Sequence, residues 1–203
     1  VSSEWEAVDS IQIGGRNLYS KVNTRVEMLS SKGTLLKDVL GAENGFKFVS
    51  NGAIHARIRC IEKGAGQYTI SFLIKSSVAS SASIMFEIND MGSKTIATTT
   101  SYQKVTHTIN NTLSYSTTYD FIDFESSAAS GVEFYIKDFK VEIGNKATDW
   151  TPAPEDVDAG IAAAKTAANT AQTTANSAQT SANTANSLLS DLSNDNKLTA
   201  VEK

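Results

Sequence analysis

The stretch "GVEFYIKDFKVEI", Gly131 to Ile143, alternates apolar and polar residues and breaks step once. Val132, Phe134 and Ile136 share one face of an extended chain. Phe139, Val141 and Ile143 continue it after a step of three. A period of two marks a strand with one buried face, and one extra residue in such a strand forms a bulge. The sequence therefore predicts a bulged strand with Lys137–Asp138 at the bulge. Asp138 is expected to be solvated there, the alternative being an inward turn toward a metal or backbone partner.

The same period recurs upstream. "YTISFLI" puts Tyr68, Ile70, Phe72 and Ile74 on one face, and "IMFEI" does so with Ile84, Phe86 and Ile88. In "IHARIRC" the inward set is Ile54, Ala56, Ile58 and Cys60, with the lone cysteine predicted to fill core. Turn-rich pieces such as "KGAGQ", "NDMGSK" and "SSAASG" separate the runs. Both prolines of the chain, Pro152 and Pro154, follow the last run. From Ile11 to about Trp150 the reading is an all-β sandwich of about eight strands. "TRVEMLSSKGTLLKDVL" is read as loop or short helix.

After Trp150, which is expected to anchor the joint, the pattern changes. "TPAPED" reads as a stiff extended joint at 151–156. Its acids Glu155 and Asp156, with Asp158, suit a helix N-terminus. Ile161, Ala164, Ala168, Ala171, Ala175, Ala178, Ala182, Ala185, Leu189 and Leu192 then follow at alternating steps of three and four. This is a heptad seam. Between the alanines stand Ser, Thr, Asn and Gln, poor material for a lone helix in water. The two facts agree when partner helices bury the seam. A parallel trimer is the preferred assembly and a dimer the alternative, with a coiled-coil stalk over 157–193 roughly 50 Å long.

Residues 1–10 read as a linker from a preceding domain, so the chain is expected to be a piece of a longer polypeptide. Residues 194–203 read as a turn and the start of a further helix, with "TAVE" at Thr199–Glu202 as a capping box. "DLSNDNKLTAVE" also fits a calcium-loop pattern in which Asp191, Ser193, Asp195 and Glu202 supply oxygens. A turn without an ion is preferred, because Asn196 stands where the loop needs glycine. No cofactor is required.

Eighteen basic residues against 22 acidic ones give a net charge of −4. That excludes the basic footprint of a nucleic-acid or anionic-membrane surface. No run is long and apolar enough to span a bilayer. His55 and His107 belong to no local catalytic signature, and the acids Asp120 and Asp123 read as a solvated strand edge, so no enzyme is expected. The clearest binding candidates are His55, Arg57 and Arg59 on the polar face of "IHARIRC", three donors suited to sugar hydroxyls or a phosphodiester. Tyr102, Tyr115 and Tyr119, in loop-proximal positions, join them as rings able to stack on sugars.

Two strings carry a family resemblance. "IGGRNLYSKV" (13–22) and "FYIKDFKVEIGNKATDWTPAPEDVD" (134–158) resemble the opening and closing strands of a module in tail proteins of phages of Gram-positive bacteria. "NSLLSDLSNDNKLTAVEK" (186–203) resembles segments after helical regions of the same tail and baseplate proteins. The resemblance implies a jelly-roll sandwich similar to carbohydrate-binding modules, on a trimeric fibre or baseplate at the virion's tail tip. It also implies adhesion to host cell-surface polysaccharide, with other tail proteins as partners. A purely structural spacer is the alternative. Related modules end on a "YIDDV"-like strand whose acids can hold calcium. Here Tyr135–Phe139 reads "YIKDF", and Lys137 stands at the first acid.

Overall fold

The computed structural model describes residues 15–20, 26–28, 32–37, 45–59, 65–86, 92–111 and 121–194. The chain divides into two compact units, Val1–Val157 and Asp158–Lys203.

Ten described strands build the first unit. They are β1 (Val26–Met28), β2 (Thr34–Lys37), β3 (Phe46–Val49), β4 (Ile54–Arg59), β5 (Gly66–Ser76), β6 (Ser80–Phe86), β7 (Lys94–Thr98), β8 (Gln103–Asn111), β9 (Phe121–Ser126) and β10 (Glu133–Ile143). They form two five-stranded sheets, β1-β4-β9-β6-β7 and β2-β3-β10-β5-β8. Every described pairing is antiparallel. The chain crosses between the sheets repeatedly, so residues distant in sequence meet in one core. This is the predicted β-sandwich.

The alternating apolar residues fill the space between the sheets. Ile54, Ala56 and Ile58 of β4 are buried, as are Ile70, Phe72 and Ile74 of β5 and Phe134 and Ile136 of β10. Aromatic rings join the layers: Phe48 of β3 stacks on Phe124 of β9 at 5.0 Å between ring centres, and Phe134 meets Phe124 edge-on at 5.7 Å. Such pairs add to the transfer free energy of burial.

The bulge falls where the sequence placed it. The β10–β5 register slips between Lys137 and Lys140, and Asp138 takes a φ of 54°, a left-handed conformation rare for a residue other than glycine. The slip returns Phe139 and Val141 to the core. Ile143 differs from the expectation. It is the last residue of the strand, beyond the final core position, and 51% of it is exposed.

Upstream of the bulge, β10 pairs with β3; beyond it, the segment 17–20 takes that place. The Leu18 N–H donates to the Val141 carbonyl at 2.7 Å. Asn17, fully buried, donates through Nδ2 to the carbonyls of Phe139 and Thr151, each at 3.1 Å. Its Oδ1 accepts from the N–H groups of Tyr19 (3.0 Å) and Val141 (3.2 Å). One amide thus joins the opening string to the closing one and to the exit of the sandwich.

Two parts of the sequence reading are corrected. "TRVEMLSSKGTLLKDVL" contains the short strands β1 and β2, not a helix, because β4 and β3 offer them sheet edges. Gly33, at φ 109°, lies before β2 with its Cα against the Val49 carbonyl; a Cβ there would sit 2.9 Å from that oxygen. The joint is also shorter than 151–156. Helix α1 spans Pro154–Asn194 and so begins inside it. Proline is well suited to the first helical position, where no N–H is needed. Glu155 accepts from Arg16, and Asp156 accepts from the Ser20 hydroxyl at 2.8 Å, which ties the first turn to the sandwich.

From Asp158 onward α1 is exposed on all sides through Ser193. The whole helix is about 60 Å long at 1.5 Å per residue. Its hydroxyls bond back to carbonyls four residues earlier, as from Thr166 to Ala162 (3.0 Å) and from Thr180 to Asn176 (2.9 Å). Gln172 and Gln179 donate to Asn176 and Asn183, each at 2.9 Å. The polar faces are self-satisfied and the seam is bare: Ile161 is 62% exposed and Leu189 64%. No described helix is long and apolar enough to cross a membrane.

Candidate functional site

His55 and Arg57 project from β4 on the face away from Ile54, Ala56 and Ile58, as the alternation requires. The neighbouring strand β9 places His55 opposite Glu125 and Arg57 opposite Asp123. His55 Nε2 lies 3.2 Å from Asp123 Oδ2 and 3.3 Å from Glu125 Oε1. Arg57 donates through Nε to Asp123 Oδ1 at 3.3 Å. His55 and Arg57 are therefore held by acceptors rather than presented as a bare row. Arg59 lies at the end of β4, and its side chain falls outside the described residues, as do Tyr115, Tyr119, Asp120 and Cys60.

Asp123 is not a solvated strand-edge residue. It belongs to the central strand of its sheet, between β4 and β6, and only 2% of it is exposed. A carboxylate so enclosed needs partners, which His55 and Arg57 supply. This fixes both side chains and leaves Glu125, 40% exposed, at the rim.

Beside His55 opens a cleft of about 300 Å³, lined by Lys32, Ala53, Ile54, His55, Ser81, Ala82, Ser83, Glu125, Ser126 and Ser127. The register sets His55, Glu125 and Ser83 side by side across three strands. The Ser126 hydroxyl donates to the Ser81 carbonyl at 2.6 Å and accepts from the Ala128 N–H at 3.1 Å, which shapes the wall. Among the described residues the hydroxyls of Ser81, Ser83 and Ser127 have no partner, and no Phe, Tyr or Trp ring lines the cleft. The lining offers serine hydroxyls, the Glu125 carboxylate, the His55 imidazole and the Lys32 ammonium, groups able to exchange hydrogen bonds with a polar ligand.

The outer face of the other sheet carries a cluster that periodicity did not reveal. Tyr135 of β10 stands opposite Lys75 of β5 and Lys47 of β3. The Lys75 ammonium lies 5.0 Å from the ring centres of both Tyr135 and Tyr102. Lys47 lies 5.3 Å from Tyr135, and Lys137 lies 4.7 Å from Tyr102. Glu133 pairs with Lys47 at 2.6 Å and accepts from the Tyr135 hydroxyl. The Lys47 hydrogen bond holds the Glu133 carboxyl below its ordinary range, and the same bond raises Lys47. Bonding to Glu133, then burial, raises the Tyr135 phenol; burial first, with the charges of Tyr135 and Asp138, raises Tyr102.

Farther along β10, Lys140 and Glu142 are buried together. Lys140 Nζ donates to Thr148 Oγ1 (2.5 Å) and the Asp149 carbonyl (2.8 Å). Thr148 donates to Glu142 through N–H (2.8 Å) and Oγ1 (2.7 Å). The pair fastens the segment that carries Trp150. Trp150 lines a cleft of about 140 Å³ together with Asp138, Leu73 and Lys104.

Among the described residues no group of three or more metal-ligating side chains occurs, and Asp138 lines the Trp150 cleft. Of the calcium-loop positions, Asp191 and Ser193 are exposed residues of α1, while Asp195 and Glu202 lie outside the described residues. The heptad positions from Ile161 to Leu192 all lie within α1.

No protein-family model and no curated protein matches the chain. Similar solved structures include carbohydrate-binding modules. TmCBM61 in complex with β-1,4-galactotriose shares 15% identity over 63% of this chain and 98% of its own, with a TM-score of 0.44. The N-terminal cellulose-binding domain of Cellulomonas fimi β-1,4-glucanase C shares 10% identity over 68% and 98%, with a TM-score of 0.44. A family 16 carbohydrate-binding module shares 11% over 55% and 86%, at 0.40. At these scores and identities the likeness carries no ligand and no binding residue over to this chain.

Proposed function

We propose that this chain is a non-catalytic carbohydrate-binding module of a phage tail fibre or baseplate. In this reading the cleft beside His55 holds a neutral cell-wall saccharide, and three copies gathered by α1 present three clefts to the host surface. The observation that carries it is the row of His55, Glu125 and Ser83 beside open serine hydroxyls. Such a row can bond several sugar hydroxyls at once, with His55 already fixed by Asp123. Each contact is modest, about 1 kcal/mol for a neutral hydrogen bond. Linking copies multiplies the effect without new contacts. The family resemblance of the opening and closing strings supports the tail setting, and the bare heptad seam supports the trimer.

The test is binding of the full chain to immobilised host wall polysaccharide. Wild type is expected to bind, and Glu125→Ala to lose roughly tenfold to a hundredfold in affinity, the range for a charged hydrogen-bond partner. Glu125 stands at a rim, so the variant should unfold at an unchanged temperature. Absence of wild-type binding at millimolar protein would favour the structural-spacer reading, and equal binding by the variant would put the binding outside the His55 cleft.

A further inference from the structure

The Tyr102–Lys75–Tyr135 cluster lies on the opposite sheet from the His55 cleft, and the proposed function does not use it. A lysine side chain ordinarily samples many rotamers, which makes its charge a diffuse feature of the surface. Here each of three ammonium groups is held 4.7 to 5.3 Å from a tyrosine ring centre. A cation over a ring is held by roughly 0.5–1 kcal/mol at an accessible site, so the charges are presented in place. Lys47 is balanced by Glu133. Among the described residues no carboxylate pairs with Lys75 or Lys137, and Lys104 adds a further positive charge on the same face, opposite Leu73. In a chain of net charge −4, this face is locally basic.

A second feature adjoins the first. The Trp150 cleft shares this face, since it is lined by Leu73, and Leu73 pairs with Lys137. The Trp150 Nε1–H is buried with no acceptor among the described residues. Asp138, in its left-handed conformation, lines the same cleft.

We propose that this face binds an anionic glycan: sugar rings lie against Tyr102 and Tyr135 while oxyanions meet Lys75 and Lys137. A neutral saccharide would leave the ammonium groups unanswered, and a small inorganic anion would leave the rings unused. The ligand class that answers both is a sugar polymer charged at each repeat. The charge can be a uronate carboxylate or a phosphodiester, and the lysines meet either as point charges.

The full chain is to be run by affinity electrophoresis in gels carrying polygalacturonate, a phosphodiester-linked sugar polymer, or neutral galactan. At least one charged polymer should retard the wild type, less so as salt rises, and the two charged gels decide between carboxylate and phosphodiester. The double variant Lys75→Gln/Lys137→Gln should lose roughly tenfold in affinity, equal to about 1.4 kcal/mol. Tyr102→Leu should lose affinity while keeping the salt dependence. Glu125→Ala, in the other cleft, should bind the charged polymer as wild type does. Absence of retardation by both charged polymers, or equal retardation of the double-lysine variant, overturns the proposal. Loss of wall-polysaccharide binding in Glu125→Ala reports on the His55 cleft alone, so the two sites fail separately.

Discussion

Asn17→Ala is expected to lower the unfolding free energy of the sandwich by more than about 3 kcal/mol. The side chain is fully buried and makes four hydrogen bonds, to Phe139, Thr151, Tyr19 and Val141. Alanine removes all four and leaves backbone donors and acceptors without partners, each costing about 1–3 kcal/mol when water cannot reach it. The site collapses poorly because its surroundings are strand backbone. Urea unfolding of residues 1–157 reads the effect directly. Asn17→Asp keeps the acceptor but sets a buried carboxylate oxygen against the carbonyls of Phe139 and Thr151, so at neutral pH it should cost at least as much as alanine. A loss below about 1 kcal/mol for Asn17→Ala would mean that the opening segment is not held as described.

The second large effect concerns α1. The 203-residue chain is expected to sediment as a trimer and residues 1–157 as a monomer. Placing Glu at both Ala175 and Ala178 should dissociate the trimer and remove most of the helical circular-dichroism signal. The hydroxyl-to-carbonyl bonds along α1 are local and exposed. Bonds of this type compete with the helix as much as they support it. The interior of α1 is thus a chain of poor helix formers whose main apolar resource is a seam of small side chains. Burying that seam against two neighbours is what the proposal asks of it, and charges on the seam forbid it. A monomeric full chain with undiminished helix signal would show that α1 stands alone and would remove the basis for multivalency.

Much of the sandwich could be read from the sequence because alternation is local. The faces of β4, β5 and β10 follow from residue types two apart, and the three-residue step at Ile136–Phe139 located the bulge where Asp138 takes its positive φ. What could not be read depends on register. β1 and β2 are three and four residues long, too short for a pattern, and exist because β4 and β3 pair with them. Asp123 looked like a strand-edge acid; its burial follows from β9 lying between two strands distant in sequence. For the candidate site, the outward face of His55 and Arg57 was legible, but their pairing with Asp123 and Glu125 was not. Ser81 and Ser83 enter the cleft only through the β6–β9 pairing. Likewise Tyr102, Lys75 and Tyr135 come from three separate segments, and nothing in their local spacing unites them.

The central claim is that the cleft beside His55 holds a saccharide. Nuclear magnetic resonance of isotope-labelled residues 1–157, titrated with oligosaccharides from host wall polysaccharide, tests it most directly. The account predicts saturable shifts concentrated at His55, Ser81, Ser83, Glu125 and Ser127, which Glu125→Ala weakens. Shifts confined to other surfaces, or none at millimolar sugar, would contradict it.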